Sequence, residues 1–346
     1  MAKNKITGAT IPYQLRPLKA IERNLFTELL KRLDSSSDIN LNEYRYVGFG
    51  AAFLEDFKQL HLALHIIEMD CIEMDAFAFT RQKFNNPYSF INLYNESSTT
   101  YINEYFKSDK GQIIWLDYAS PRHLAQQLLD IEMMCSKVAP LDIIKFTFNS
   151  EIKSFISSHG VKKENKRWCY PTDTSVILEY LKANEGLNKY LPEVTHPQIV
   201  NFDQLIRAMC VRAIKRGLSV LNKNLTFLHL AAFTYADGQE MTTITGIICN
   251  EGEESKILSD TKLENWQFYT SSNEGNEFIE AMEISAPAMT ASERIVIDRL
   301  LSDTNEKDVA SKLEFKYGID EDEHRILIDG YRKFYRYLPY YSKIIY

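Results

Sequence analysis

The stretch Tyr44-Arg45-Tyr46-Val47-Gly48-Phe49-Gly50 constrains this chain more than any other. It is a β-rich run that ends in Gly-x-Gly and passes at once into the helical pattern Ala51-Ala52-Phe53-Leu54-Glu55-Asp56-Phe57. A buried strand that turns on glycines into a helix is a building unit of open α/β sheets, where glycine lets a ligand approach the backbone. The run Met69-Asp70-Cys71-Ile72-Glu73 reads as a second strand ending in a carboxylate, Glu73, twenty-three residues after Gly50. An acid in that place can accept hydrogen bonds from both ribose hydroxyls of a nucleoside. The layout implies a nucleoside-bearing ligand, S-adenosylmethionine or a dinucleotide.

The surrounding pattern is a regular alternation. Residues 17–33 form an amphipathic helix, apolar at 21, 25, 26, 29, 30 and 33, with Pro17 in its first turn. A polar linker, 34–38, follows. Strands are expected at 44–49, 69–73, 89–94, 112–117 and 142–148, with helices at 52–65, 75–84 and 121–136 between them. Such alternation predicts a mostly parallel sheet with right-handed crossovers. Residues 151–226 read as helical and charged, with a clear helix over 202–221. Two β-rich runs, 227–235 and 241–249, flank Asp237-Gly238, a hairpin signal. After a polar stretch, 250–275, the capping box Thr290-Ala291-Ser292-Glu293 opens a helix, and another is expected over 320–335. The expected organisation is an N-terminal helical segment (1–43), a sheet-bearing core (44–149 and 227–250), a helical insertion (151–226) and a helical tail (276–346).

Bulk properties exclude some classes. A net charge of −7 argues against non-specific duplex binding as the main attachment. Met1 to Lys5 is basic but no apolar run follows, and no stretch is long enough to span a membrane. Five scattered cysteines without Cys-x-x-Cys spacing fit a reducing cytoplasm. His61 and His65, four apart on one helix, could clip a metal, but no third ligand is suggested nearby, and no metal site is expected.

Five alternating strands closed by a late hairpin resemble the class I S-adenosylmethionine-dependent methyltransferase fold: a Rossmann-like, mostly parallel sheet whose last strand inserts antiparallel. Val47-Gly48-Phe49-Gly50 resembles that family's first motif, and Glu73 falls where its ribose-binding acid falls. The whole chain, including Pro12-Tyr13-Gln14-Leu15-Arg16-Pro17 and Thr234-Tyr235-Ala236-Asp237-Gly238, is similar to a bacterial group of uncharacterised O-methyltransferase-like proteins. The resemblance implies S-adenosylmethionine as cofactor, bound by Gly48, Phe49, Gly50, Glu73, Asn95 and Glu96. It also implies a catalytic or substrate-facing role for Asp117 and Tyr118 in Asp117-Tyr118-Ala119-Ser120-Pro121. The sequence departs from the family in lacking an acid before Gly48, and alanines follow Gly50.

Bland readings stand beside these. Asp117 would orient or deprotonate an acceptor, or cap the helix at Pro121; Tyr118 would stack on a ligand or pack beside the sheet. Asp75 is expected as a helix cap. Arg16 and Lys19 would cover the pocket and bind an anion, or form a solvated face. Arg207, Arg212, Lys215 and Arg216 give the insertion helix a basic character. The expectation is a cytoplasmic methyltransferase whose acceptor is a small molecule, protein or nucleic acid, with a protein partner or a second copy. The alternative is a non-catalytic nucleoside-binding subunit of methyltransferase-like fold, for instance in a bacterial antiviral defence complex. An NAD-dependent enzyme is disfavoured because Gly-Phe-Gly-Ala-Ala-Phe lacks a third glycine.

Overall fold

The computed structural model describes residues 15–159, 163–164, 167–168, 174–193, 201–221, 224–270, 277–302 and 308–339. Helix α1 (Pro17–Leu33) leads into an alternation of β1 (Arg45–Phe49), α2 (Glu55–Leu64), β2 (Glu68–Ile72), α3 (Ala76–Asn85), β3 (Ile91–Tyr94), α4 (Ser98–Glu104), β4 (Gln112–Tyr118), α5 (Leu124–Cys135) and β5 (Ile143–Asn149). Next come α6 (Ile152–His159), the short strands β6 (Lys163–Glu164) and β7 (Arg167–Trp168), α7 (Thr174–Ala183), α8 (Glu185–Asn188) and α9 (Phe202–Ser219). The chain continues with β8 (Leu225–Ala236), β9 (Glu240–Asn250), α10 (Glu254–Thr261), β10 (Met282–Glu283), α11 (Ala291–Ser302) and α12 (Glu321–Phe334).

One sheet holds eight strands in the order β10-β8-β9-β5-β4-β1-β2-β3. Strands β1 to β5 run parallel, β9 pairs antiparallel with β5, and β8 antiparallel with β9. This is the parallel sheet with a terminal hairpin expected of a Rossmann-like methyltransferase fold. The two-residue β10 adds a parallel edge outside β8. Strands β4 and β5 are buried almost end to end, which explains the apolar run Ile113–Leu116 of β4.

Each face of the sheet carries its own apolar layer. Phe26, Leu30, Phe57 and Trp115 belong to the layer under α1 and α2; Leu128, Ile131, Leu205 and Met209 belong to the layer under α5 and α9. Gly217 lets α9 close on α5, because a Cβ there would stand 2.4 Å from the Glu132 carbonyl oxygen. Residues 202–219 are thus part of the sheet-covering layer. The rest of the stretch read as helical and charged also contains the β6–β7 pair.

Some boundaries differ from expectation. The helix after the glycine turn starts at Glu55 rather than 52, because Ala51 and Leu54 take left-handed backbone angles, φ 43° and 54°. Helices α4 and α10 lie where no helix was read from the sequence. The tail behaves as its signals predict: Glu293 N–H donates to Thr290 Oγ1 at 3.3 Å and Thr290 N–H to Glu293 Oε2 at 2.6 Å. A satellite cluster of Ile297, Val309, Ile328 and Tyr331 joins α11 to α12. Among the described residues no helix is long and apolar enough to cross a membrane.

Candidate nucleoside and acceptor site

Two clusters of side chains occupy the carboxyl edge of the sheet. The first lies at the tips of β1, β2 and β3, where Phe49 is in register with Ile72, and Ile72 with Tyr94. Glu73, the residue after β2, donates its N–H to the Tyr94 carbonyl at 3.0 Å. Its Oε1 accepts the Asp75 N–H at 2.8 Å. Burial pushes its carboxyl above the ordinary value. Asn95 Nδ2 donates to the Glu73 carbonyl at 2.8 Å and so ties the tips of β2 and β3, with Glu96 half-buried beside it. Asp75 caps α3 as expected, accepting the Ala78 N–H at 2.7 Å.

The glycines have a second reason to be glycine. A Cβ on Gly50 would stand 2.5 Å from Leu54 Cδ2 and 2.6 Å from Cys71 Sγ. One on Gly48 would stand 2.5 Å from the Tyr46 hydroxyl and 3.0 Å from the Trp115 carbonyl oxygen. The protein's own atoms therefore crowd both positions, whatever else the turn holds. Phe49 is half-buried and meets Tyr118 edge-on, ring centroids 5.5 Å apart.

The second cluster joins the tip of β4 to α1. Asp117 Oδ2 lies 3.1 Å from Lys19 Nζ and 3.1 Å from Arg23 Nη2. The same Arg23 guanidinium grips Asp56 on α2, Nε to Oδ1 at 2.6 Å. Deeper in the layer Glu22 pairs with Lys145 at 2.5 Å, and the Lys145 ammonium stands 3.7 Å from the centre of the Trp115 ring. Burial alone would raise Asp117, but Lys19 and Arg23 outweigh it and hold the carboxyl at about 2. Burial lowers Lys19, and it lowers Lys145 to about 8 against the pull of Glu22.

The hairpin turn closes over this cluster. Lys19 donates its backbone N–H to Asp237 Oδ2 at 2.7 Å, and Arg16 Nη2 donates to the Asp237 carbonyl at 3.1 Å. Asn149 Nδ2 reaches Gln239 Oε1 at 3.0 Å. Arg16 and Lys19 are therefore fastened to the protein rather than forming a solvated face; Pro12 to Gln14 of the same motif lie outside the described residues.

Of the two readings of Tyr118, stacking on a ligand or packing beside the sheet, its placement fits the second. Next to Asp117 on the strand, it points to the opposite face of the sheet, is buried, and packs between Phe49 and Phe148. Its hydroxyl lies 3.5 Å from Asp130 Oδ2, and burial drives its ionisation far above the ordinary value. Asp117 does not cap the turn at Pro121, whose cap, Ser120, makes no side-chain hydrogen bond.

The basic insertion helix is neutralised. Arg207 is buried and bonds Asp203, Thr242 and the Ile279 carbonyl. Arg212 and Lys215 meet Glu277, and Arg216 meets Glu132. His61 Nδ1 contacts the Ile66 carbonyl at 2.9 Å, and among the described residues no three His, Cys, Asp or Glu side chains gather as a metal site. A groove of about 530 Å³ runs between α1, α2 and Pro339, beside Arg23, Glu55 and Lys58. Its lining includes none of Gly48, Phe49, Gly50, Glu73, Asn95 or Glu96.

Arg23, Asp56 and Asp237 are the site residues that sequence reasoning missed. A signal existed for Arg23: Lys19, Glu22 and Arg23 stand on the stripe of α1 that continues through Phe26, Leu30 and Leu33, and charges on a buried stripe need buried partners. No pattern marked Asp56 or Asp237 as the partners.

Comparison with known proteins adds the following. The model of the family described as "Putative O-methyltransferase" matches residues 11–346. No curated protein matches the chain. Similar solved structures include the N-methyltransferase NodS from Bradyrhizobium japonicum WM9, 13% identical, covering 66% of this chain and 97% of that one, TM-score 0.35. The plantazolicin methyltransferase BamL, solved with a triazolic desmethylPZN analogue and SAH, is 10% identical and covers 68% of this chain and 88% of that one, TM-score 0.35. Trm1 from Pyrococcus horikoshii, solved with S-adenosyl-L-methionine, is 11% identical and covers 68% of this chain and 56% of that one, TM-score 0.41.

Proposed function

The chain belongs to this O-methyltransferase family, and from that premise we propose that it is an S-adenosylmethionine-dependent methyltransferase whose nucleoside lies across the tips of β1 and β2. The observation that carries the reading is the placement of Glu73, half-buried at the end of the strand beside the glycine turn. From there its carboxylate can accept from both ribose hydroxyls. Asn95 and Glu96 stand on the adenine side, and the backbone N–H groups after Gly50 face the methionine carboxylate. The bound cofactor supplies an activated methyl group; the protein's task is alignment of that group with the acceptor. Lys19, Arg23 and Asp117 hold α1 against the sheet and form a wall of the acceptor side. Asp117 serves there as an anchor, since a carboxyl held at about 2 by two cations is a poor proton acceptor. The four described cysteines are unpaired, which suits a reducing cytoplasm.

Titration calorimetry with S-adenosylmethionine and S-adenosylhomocysteine tests the site. Saturable binding that Glu73→Ala weakens by about 30-fold or more, as loss of charge-assisted hydrogen bonds should, supports it. No heat with either ligand would sink it. A second reading, a nucleoside-binding subunit without transfer activity, is favoured by the engaged state of Asp117 and the burial of Tyr118. Binding of both ligands, with no label passing from methyl-labelled cofactor to small-molecule, protein or nucleic-acid fractions, would select it.

A further inference from the structure

The loop that follows the glycine turn is strained. Ala51 and Leu54 both occupy the left-handed region, φ 43° and 54°, which residues bearing a Cβ enter at a cost. Such a loop keeps its shape only when its surroundings hold it. Leu54 N–H closes it on the Gly50 carbonyl at 2.9 Å, and the Leu54 side chain is fully buried. The other restraints come from one face of α3, where Arg81, Gln82 and Asn85 follow at helical spacing. Asn85 Nδ2 donates to the Ala52 carbonyl at 2.7 Å. The Arg81 guanidinium stands 5.2 Å from the centre of the Phe53 ring. Gln82 is fully buried beside the Cys71 thiol, and that sulfur fills the space a Gly50 side chain would need.

The same helix begins at Asp75, whose N–H is bonded to Glu73 Oε1. One rigid element therefore has the acid at its first turn and grips the strained loop at its last. The geometry points to α3 as the ruler that sets the distance between Glu73 and the loop, with Asn85 and Arg81 as positioning residues for the nucleoside ligand. The inference rests on the nucleoside site proposed above. It assigns to α3 a role in cofactor affinity through residues that need not touch the cofactor.

The test is S-adenosylhomocysteine binding to the full chain by calorimetry, with thermal unfolding measured in parallel. Asn85→Ala should bind about tenfold more weakly, the scale of one lost hydrogen bond, and Arg81→Ala about threefold more weakly. Ala51→Gly, which makes the left-handed angle inexpensive, should recover several-fold of the Asn85→Ala loss when the double variant is compared with Ala51→Gly alone. A role in folding only would lower the melting temperature without that rescue. Wild-type affinity in Asn85→Ala, or a loss that Ala51→Gly leaves unchanged, overturns the ruler and leaves the nucleoside site standing. If Asn85→Ala does not fold, wild-type affinity in Arg81→Ala overturns it. Failure of the unaltered chain to bind overturns both.

Discussion

Two aspartates at opposite edges of one sheet, Asp142 buried and Asp117 nearly so, are held in opposite ways. At the amino edge, Asp142 accepts the backbone N–H groups of Gln112 and Ala139, each at 2.8 Å, and burial raises its carboxyl to about 7. At the carboxyl edge, Asp117 meets Lys19 and Arg23, which bring it to about 2. At Asp142 the amino edge is tied by backbone N–H groups of neighbouring segments. The carboxyl edge depends on side-chain charges that α1 brings from outside the alternating core. At the tip of β4 the edge proposed to hold ligands therefore depends on α1, whereas Asp142 has no such dependence.

The largest effect should come from Asp117→Ala, which removes the carboxylate that the buried cations Lys19 and Arg23 share. We expect a loss of about 3–5 kcal/mol in urea unfolding, and a loss under about 1 kcal/mol would break the contrast. The pH response should separate the two acids by sign. Asp117 lies below its unfolded value of 3.8, so its contribution is present above that pH and disappears as pH falls through about 2. Asp142 lies above 3.8, so its contribution is present at acidic pH and disappears as pH rises through about 7. Each group can impose a slope of up to about 1.4 kcal/mol per pH unit. Asp142→Asn should remove the decline toward neutral pH, and Asp117→Asn should flatten the acid limb; exchanged outcomes would refute the assignment.

Smaller changes sharpen the boundary of the site. Tyr118→Phe should alter stability by about 0.5 kcal/mol or less and leave cofactor affinity unchanged, because the hydroxyl contact at 3.5 Å is at the limit of a hydrogen bond. A drop in affinity would restore Tyr118 to the ligand site. Lys256→Ala removes an exposed pair with Asp38 at the amino edge, 2.6 Å long, and should leave the melting temperature unmoved.

The core elements were legible because their signals are local. Apolar runs such as Ile113–Leu116 can be buried only in a covered strand, and Asp237-Gly238 marked the hairpin that β8 and β9 form. Asp75 and Thr290 capped the helices they precede. The ends of α2 were less legible: the expected helix began three residues early because nothing in Ala51-Ala52-Phe53-Leu54 announces a left-handed turn. The state of Asp117 was not legible, since its cations come from residues 94 and 98 positions away in sequence.

Residue order by itself determined the alternation, the glycine turn at the end of β1 and the acid at the end of β2, because periodicity and turn chemistry act over a few residues. Only the tertiary structure decided that Asp117 is an anchored ion pair, that Tyr118 is core, and that α3 spans the acid and the strained loop. Those outcomes depend on which distant groups share a water-poor layer, and charge, burial and strain there are set by neighbours in space.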